Sequence, residues 1–252
     1  MGLLDSRAYA WHSRWGLRLV MAACLWTVCT AGWAAVVGAQ FREVSQQVAA
    51  HPEDLSAGNR LRRICREQRI YDQCIEFFAA LVKAHPHTAA VRYNAALANI
   101  DNLPGHSLLA QARLSTSSIE HASAVLERSP DDWLALYIRG LNQLYWPTWY
   151  RRTGRAVTDL TRCVSISEGL PAEQRRQYMA LAHAALGDAY VKLEKFAEAR
   201  QVWERGALLH PSAVLTQRLQ IPLASLGEAI SELRSREVPV DTDIEFYAPS
   251  PT

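Results

Sequence analysis

Pro52 and Pro86 stand 34 residues apart, and Pro211 closes a run of the same length whose small and large residues are regularly spaced. A period of this length is the strongest constraint in the chain. Each unit is too short to bury a face of its own, so neighbouring units must stack to make a core. The clearest unit is ALAHAALGDAYVKLEKFAEARQVWERGALLHPSA, residues 180–213. In it Leu186, Gly187, Tyr190, Phe196, Ala199, Trp203, Gly206 and Pro211 describe two short helices. Gly187, Ala199 and Gly206 let the pair approach closely, and Tyr190 and Trp203 fill the seam. The proline follows the second helix, where the chain can no longer continue it.

This pattern resembles the tetratricopeptide repeat (TPR), with His183 standing where the family has a tryptophan. The same register runs back through the chain. A first repeat starts at Leu55 and carries Leu61, Tyr71, Cys74, Phe78 and Leu81, with Arg62 in place of a small residue. A second runs from Ala89 to Pro130 and is ten residues too long, the excess lying in DNLPGHSLLAQARLS. A third starts at Trp133, with Gly140 and Ala156 at the close-approach positions and about four extra residues in its turn. The spacer SEGLPAEQRRQ leads into the fourth. Gln40–Ala50 has the place of the second helix of an unfinished repeat. The predicted fold is all-α: an α-solenoid of about four helix-turn-helix repeats over 55–213, preceded by one transmembrane helix. A connecting helix covers 40–54. A capping helix covers 214–236, with Pro222 and Gly227 expected to break it, and the tail 237–252 is expected to be disordered. The resemblance implies a right-handed superhelix with a groove lined by the first helix of each repeat. It also implies binding of a protein or peptide partner, with no catalysis.

The N-terminal region differs in kind. From Leu19 to Ala39 there are 21 residues without a charge, enough to cross a bilayer as a helix. Arg7, Arg14 and Arg18 precede it, and in the next twenty residues Arg42 is the sole basic one. The positive-inside rule leaves residues 1–18 in the cytoplasm and sends the repeats across the membrane. Trp11 and Trp15 fall where an interfacial belt would lie. Val37-Gly38-Ala39 also fits a signal cleavage site, so an exported, cleaved chain is the rival reading; the length of the span favours the anchor. Of 27 basic residues only Lys83, Lys192 and Lys195 are lysine, a usage that points to a GC-rich bacterial genome. The expectation is a bacterial inner-membrane protein with a periplasmic repeat domain, serving an envelope complex as scaffold or assembly factor. A formal net charge of +2 gives no footprint for nucleic acid.

The resemblance assigns the groove to Asn59, Arg63 and Arg66, then Tyr93, Asn94 and Leu97, then Tyr137 and Leu141. That groove reads basic at one end and apolar in the middle. Of the clamp that holds chaperone C-termini in this family only Asn94 agrees, which disfavours such a ligand; an amphipathic helix suits it better, or the chain's own C-terminal helix. LYWPTWYRRTGR, residues 144–155, puts Tyr145, Trp146, Trp149, Tyr150, Arg151 and Arg152 on the enlarged turn. Such residues are typical of interface hot spots, and equally could pack on the neighbouring insertion. Cys65 and Cys74 face each other across one helical hairpin, at a spacing compatible with a disulfide or with two buried thiols side by side. No zinc-protease, nucleophile-elbow, phosphate-loop or haem signature occurs, so no catalytic residue, metal or cofactor is expected.

Overall fold

The computed structural model describes residues 38–241 and 243–247. Among these residues the chain is helical, with no strand. A helix over residues 38–50 (α1) is followed by four antiparallel pairs. They are α2 (Leu55–Gln68) with α3 (Tyr71–Ala84), α4 (Ala89–Asp101) with α5 (Leu108–Leu126), α6 (Trp133–Tyr145) with α7 (Thr153–Gly169), and α8 (Ala180–Lys192) with α9 (Phe196–Leu209). Successive pairs stack through α3 on α4, α5 on α6 and α7 on α8. Two further helices, α10 (Ala213–Leu219) and α11 (Leu226–Asp241), and a 3-10 turn at Ile244–Tyr247 complete the described chain.

Local chemistry sets the helix ends. Asp54, Asp132 and Ser212 accept hydrogen bonds from first-turn amides of the helices that follow them, which relieves donors no helix can satisfy internally. Arg69 and Glu194 occupy the same place in the first and fourth repeats, and both are left-handed, at φ 56° and 60°. Each ends the first helix of its hairpin and turns the chain into the second. Lys192 works from outside. Its Nζ donates to the carbonyls of Leu144 and Trp146, both at 2.6 Å, and so caps the end of α6 from α8.

The first helices α4, α6 and α8 are buried on almost every side, while their partners keep one face in solvent. Close approach at the small residues makes this possible. A Cβ on Gly187 would lie 2.0 Å from Trp203 Nε1, and one on Gly140 would lie 2.8 Å from Leu160 Cγ. In the first repeat Arg62 takes the small residue's place and is fully enclosed. Its guanidinium reaches Asp101 on α4 at 2.8 Å, and Arg66 meets the same carboxylate at 3.2 Å. A bulky residue is tolerated there because its charge is met, not left buried alone.

The register expected from the prolines matches these pairs, and α1 packs Val48 and Phe41 against the first repeat as an unfinished unit should. Three details differ. The ten-residue excess in repeat two is partly a loop and partly helix, since α5 has 19 residues. The C-terminal region breaks at Pro222 but not at Gly227, which lies inside α11 with open space around it. The tail expected to be disordered instead docks at 243–247, because Ile244 finds a fully buried site and Asp243 finds cationic and amide partners. No helix among the described residues is long and apolar enough to cross a membrane. The expected span at 19–39 lies outside the described residues, apart from positions 38 and 39 at the start of α1, as do residues 1–18 and 248–252.

Candidate functional site

The eight expected groove residues do not form one open groove. Asn59 Nδ2 donates to Asp243 Oδ1 at 2.8 Å, and Arg63 pairs with the same carboxylate at 3.0 Å. Arg66 turns to Asp101. Tyr93 donates to Asp132 Oδ2 at 2.5 Å, and burial together with that bond pushes its phenol well above the usual range. Asn94 is buried under Gly58, donating to the carbonyls of Ala90 and Leu55. Tyr137 is buried and stacked on Trp133, ring centroids 5.1 Å apart. Most of the predicted groove is thus engaged with the chain itself.

Leu97 and Leu141 are placed differently. They line a cleft of about 310 Å³ together with Tyr145, Trp146, Trp149 and Tyr150, so the structure joins part of the expected groove to the expected turn. The opposite wall is Leu103 and Pro104, from the loop after α4, and Leu108, the first residue of α5. Both long turns are within repeats, so they emerge at the same edge of the array, and their excess residues enclose the cleft between them. Of the four rings, Trp146 packs on the insertion. Trp146 is buried, and its Nε1 donates to Ser115 Oγ on α5 at 2.5 Å. Ser115 in turn donates to Asn142 Oδ1, tying floor and wall together. The Arg152 guanidinium lies 3.9 Å from the centre of the Trp146 ring. Tyr145, expected on the turn, ends α6 half-buried and donates to the Arg234 carbonyl of α11. Trp149 and Tyr150 remain 73% and 50% exposed, and across the cleft Leu108 is 74% exposed. Arg151 is exposed beside them and takes a left-handed conformation, φ 53°.

Among the described residues Cys65, Cys74 and Cys163 are free thiols. Cys65 and Cys74 are both buried, and hydrogen bonding to Cys65 together with burial pushes the Cys74 thiol far up. The seam between α8 and α9 holds a second titratable group of interest. His183, in the family's tryptophan position, is fully enclosed 5.4 Å from the His210 ring. Burial lowers the pKa of both; burial and Arg92 bring His121 down to about 4. A histidine lowered in the folded state takes a proton more readily when unfolded. Its contribution to stability is therefore whole above about pH 6.5 and shrinks as pH falls, for His121 down to about 4. The expected slope is up to ~1.4 kcal/mol per pH unit for each excluded proton. Unfolding at pH 7.5 and pH 5 should give the lower midpoint at pH 5, and His121→Gln should reduce that difference. An unchanged difference in the variant counts against the assignment.

Among the described residues no group of three or more His, Cys, Asp or Glu is arranged to hold a metal ion. No known protein family matches the chain by sequence, and no curated protein does. The shape is more informative. The crystal structure of a thermophilic TPR protein from Thermus thermophilus superposes with a TM-score of 0.55, over 80% of this chain and 94% of that one, at 13% identity. The fold is TPR-like. At that identity the likeness concerns the fold alone.

Trp133, Tyr178, Leu103, Pro104 and Leu108 shape these surfaces without having been singled out as site residues. Leu108-Leu109 just after a proline-glycine turn was the available signal for the cleft wall, since both leucines open α5 and stay exposed. Tyr178 stands between the spacer and the start of the fourth repeat, where there is no repeat pattern, so nothing in its surroundings marked it.

Proposed function

We propose that this chain is a membrane-anchored TPR-like scaffold that seats an apolar segment of a partner protein in the cleft between its two long turns. The observation that carries this is the pairing of exposed Trp149 and Tyr150 with exposed Leu108 across an apolar floor. Exposed aromatic and aliphatic side chains around a preformed cavity are what a helix-in-groove contact requires, and Arg151 at the rim suits an acidic flank on that helix. The uncharged span at 19–39, with arginines before it, supports an anchor in a bacterial inner membrane and repeats facing the periplasm. In that setting the partner is a subunit of an envelope complex that the scaffold holds or helps assemble. A signal-cleaved accessory protein is the alternative; residues 38 and 39 are already helical, so that cut would fall inside a helix.

The test is a Trp149→Ala, Tyr150→Ala double variant of the tagged full chain, recovered from native membranes in mild detergent. At least a ten-fold loss of co-purifying partner is expected, with helicity unchanged and stability altered by no more than about 0.5 kcal/mol. Lost stability with undiminished capture would return the turn to a packing role. The intact mass of the recovered chain decides between anchor and cleaved forms.

A further inference from the structure

The inner face, lined by the first helices, holds a short piece of this chain in the manner of a ligand. Asp243 presents its carboxylate to Asn59 and Arg63 on α2, at 2.8 and 3.0 Å. Ile244 is 1% exposed and belongs to the central core cluster. Tyr247 stacks on Trp133 of α6 at 6.1 Å and meets Tyr178 at 5.2 Å. Burial and the neighbouring Tyr178 push its phenol up to about 12. Three subsites therefore stand in a row: one for a carboxylate, one for an aliphatic side chain and one for an aromatic ring.

We propose that the inner face is a binding site for a partner segment that takes up the same tight turn, bearing an acidic residue, an aliphatic residue directly after it, and an aromatic residue three positions further on. Asp243, Ile244 and Tyr247 hold this site in cis until such a segment displaces them. The attachment is suited to exchange. The tail is a single 3-10 turn at the end of the described chain, and the Arg63–Asp243 pair is partly open to water. The helix before the tail is fixed separately, by Arg234 on Asp188 at 2.9 Å and by Tyr145 on the Arg234 carbonyl, so releasing the turn does not require unseating α11. Tethering gives the tail a high effective concentration, which weak partners cannot overcome and a matching segment can. The subsites lie toward α2 and the start of α6, apart from the cleft at the far ends of α4 and α6, so this site does not depend on the cleft.

The probe is a fluorescein-labelled peptide of residues 240–252, VDTDIEFYAPSPT, followed by anisotropy. It is titrated into the full chain, into an Ile244→Ser, Tyr247→Ala variant whose own tail is weakened, and into that variant with Arg63→Glu added. The weakened-tail chain should bind at least ten-fold more tightly than the unaltered one, and Arg63→Glu should abolish the gain. A peptide carrying Asp243→Lys should then recover binding to the Arg63→Glu chain, an effect that loss of folding cannot produce. Equal binding to the first two chains, no binding to the weakened-tail chain, or no recovery by the charge-swapped peptide would each overturn the proposal. The Trp149→Ala, Tyr150→Ala variant should bind the peptide as its parent does, so failure here and failure of the cleft reading remain separate results.

Discussion

Replacing Asp188 with alanine is expected to cost about 3–5 kcal/mol and to loosen the C-terminal end of the array first. Asp188 lies on α8 and is 1% exposed. Both its oxygens are held by Arg218 of α10 at 2.8 Å, and Arg234 of α11 reaches the same carboxylate at 2.9 Å. One carboxylate thus fastens two helices to a third. Removing it strips two enclosed guanidinium groups of this counter-charge, and desolvated charge is far more expensive than a lost surface pair. The comparison is Asp131→Ala, where the carboxylate meets Arg162 at 2.6 Å with more than half of each side chain in solvent. That change should cost no more than about 1 kcal/mol. Urea unfolding of both variants by circular dichroism checks the contrast, and hydrogen exchange should place the Asp188 loss in α10 and α11, because repeats in such arrays interact with their neighbours only. Equal costs would mean that burial does not govern these pairs.

The second large effect concerns the seam of the fourth repeat. Trp203→Ala is expected to cost about 3–5 kcal/mol, since this indole is completely enclosed and its Nε1 donates to the Ala184 carbonyl at 3.2 Å. Gly187→Ala perturbs the same contact from the other side. Its methyl would stand 2.0 Å from Nε1, and a rigid ring closed in on every side has no rotamer into which to retreat. A cost of about 1–3 kcal/mol follows. In the double variant the alanine methyl occupies space the indole has left, so the two costs should fall short of adding by at least about 1 kcal/mol. Leu208→Ala on the outer face, where the side chain is 83% exposed, should change stability by less than about 0.5 kcal/mol. Simple additivity at Gly187 and Trp203 would mean the helices separate instead of clashing.

Much of the fold was legible because its determinants are local and repeated. A proline 34 residues from the last one, a glycine facing an aromatic, and an aspartate before an apolar run each act within a few residues of chain. Their recurrence fixed the register before any contact was known. The aromatic turn stood out as irregular: four large rings and three arginines within residues 144–155 exceed what a repeat turn requires. Which of those rings would be buried was not legible. Trp146 and Trp149 have similar local surroundings, and Trp146 is buried because α5 offers Ser115, 31 residues away in sequence, to its Nε1.

The sequence by itself determined that this chain folds as a helical array, where its repeats begin, and which residues close its seams, since each of these depends on spacing within a single hairpin. The tertiary structure alone decided what the inner face contains. Asn59 and Arg63 read as an open basic end of a groove, and the acidic, proline-rich tail read as disordered, because each was judged without the other. They meet across 180 residues or more, where a carboxylate, a buried isoleucine and a stacked tyrosine outweigh the composition around them. The same holds for the cleft. Each long turn is an irregularity of its own repeat, and only the stacking of one repeat on the next sets the two irregularities face to face.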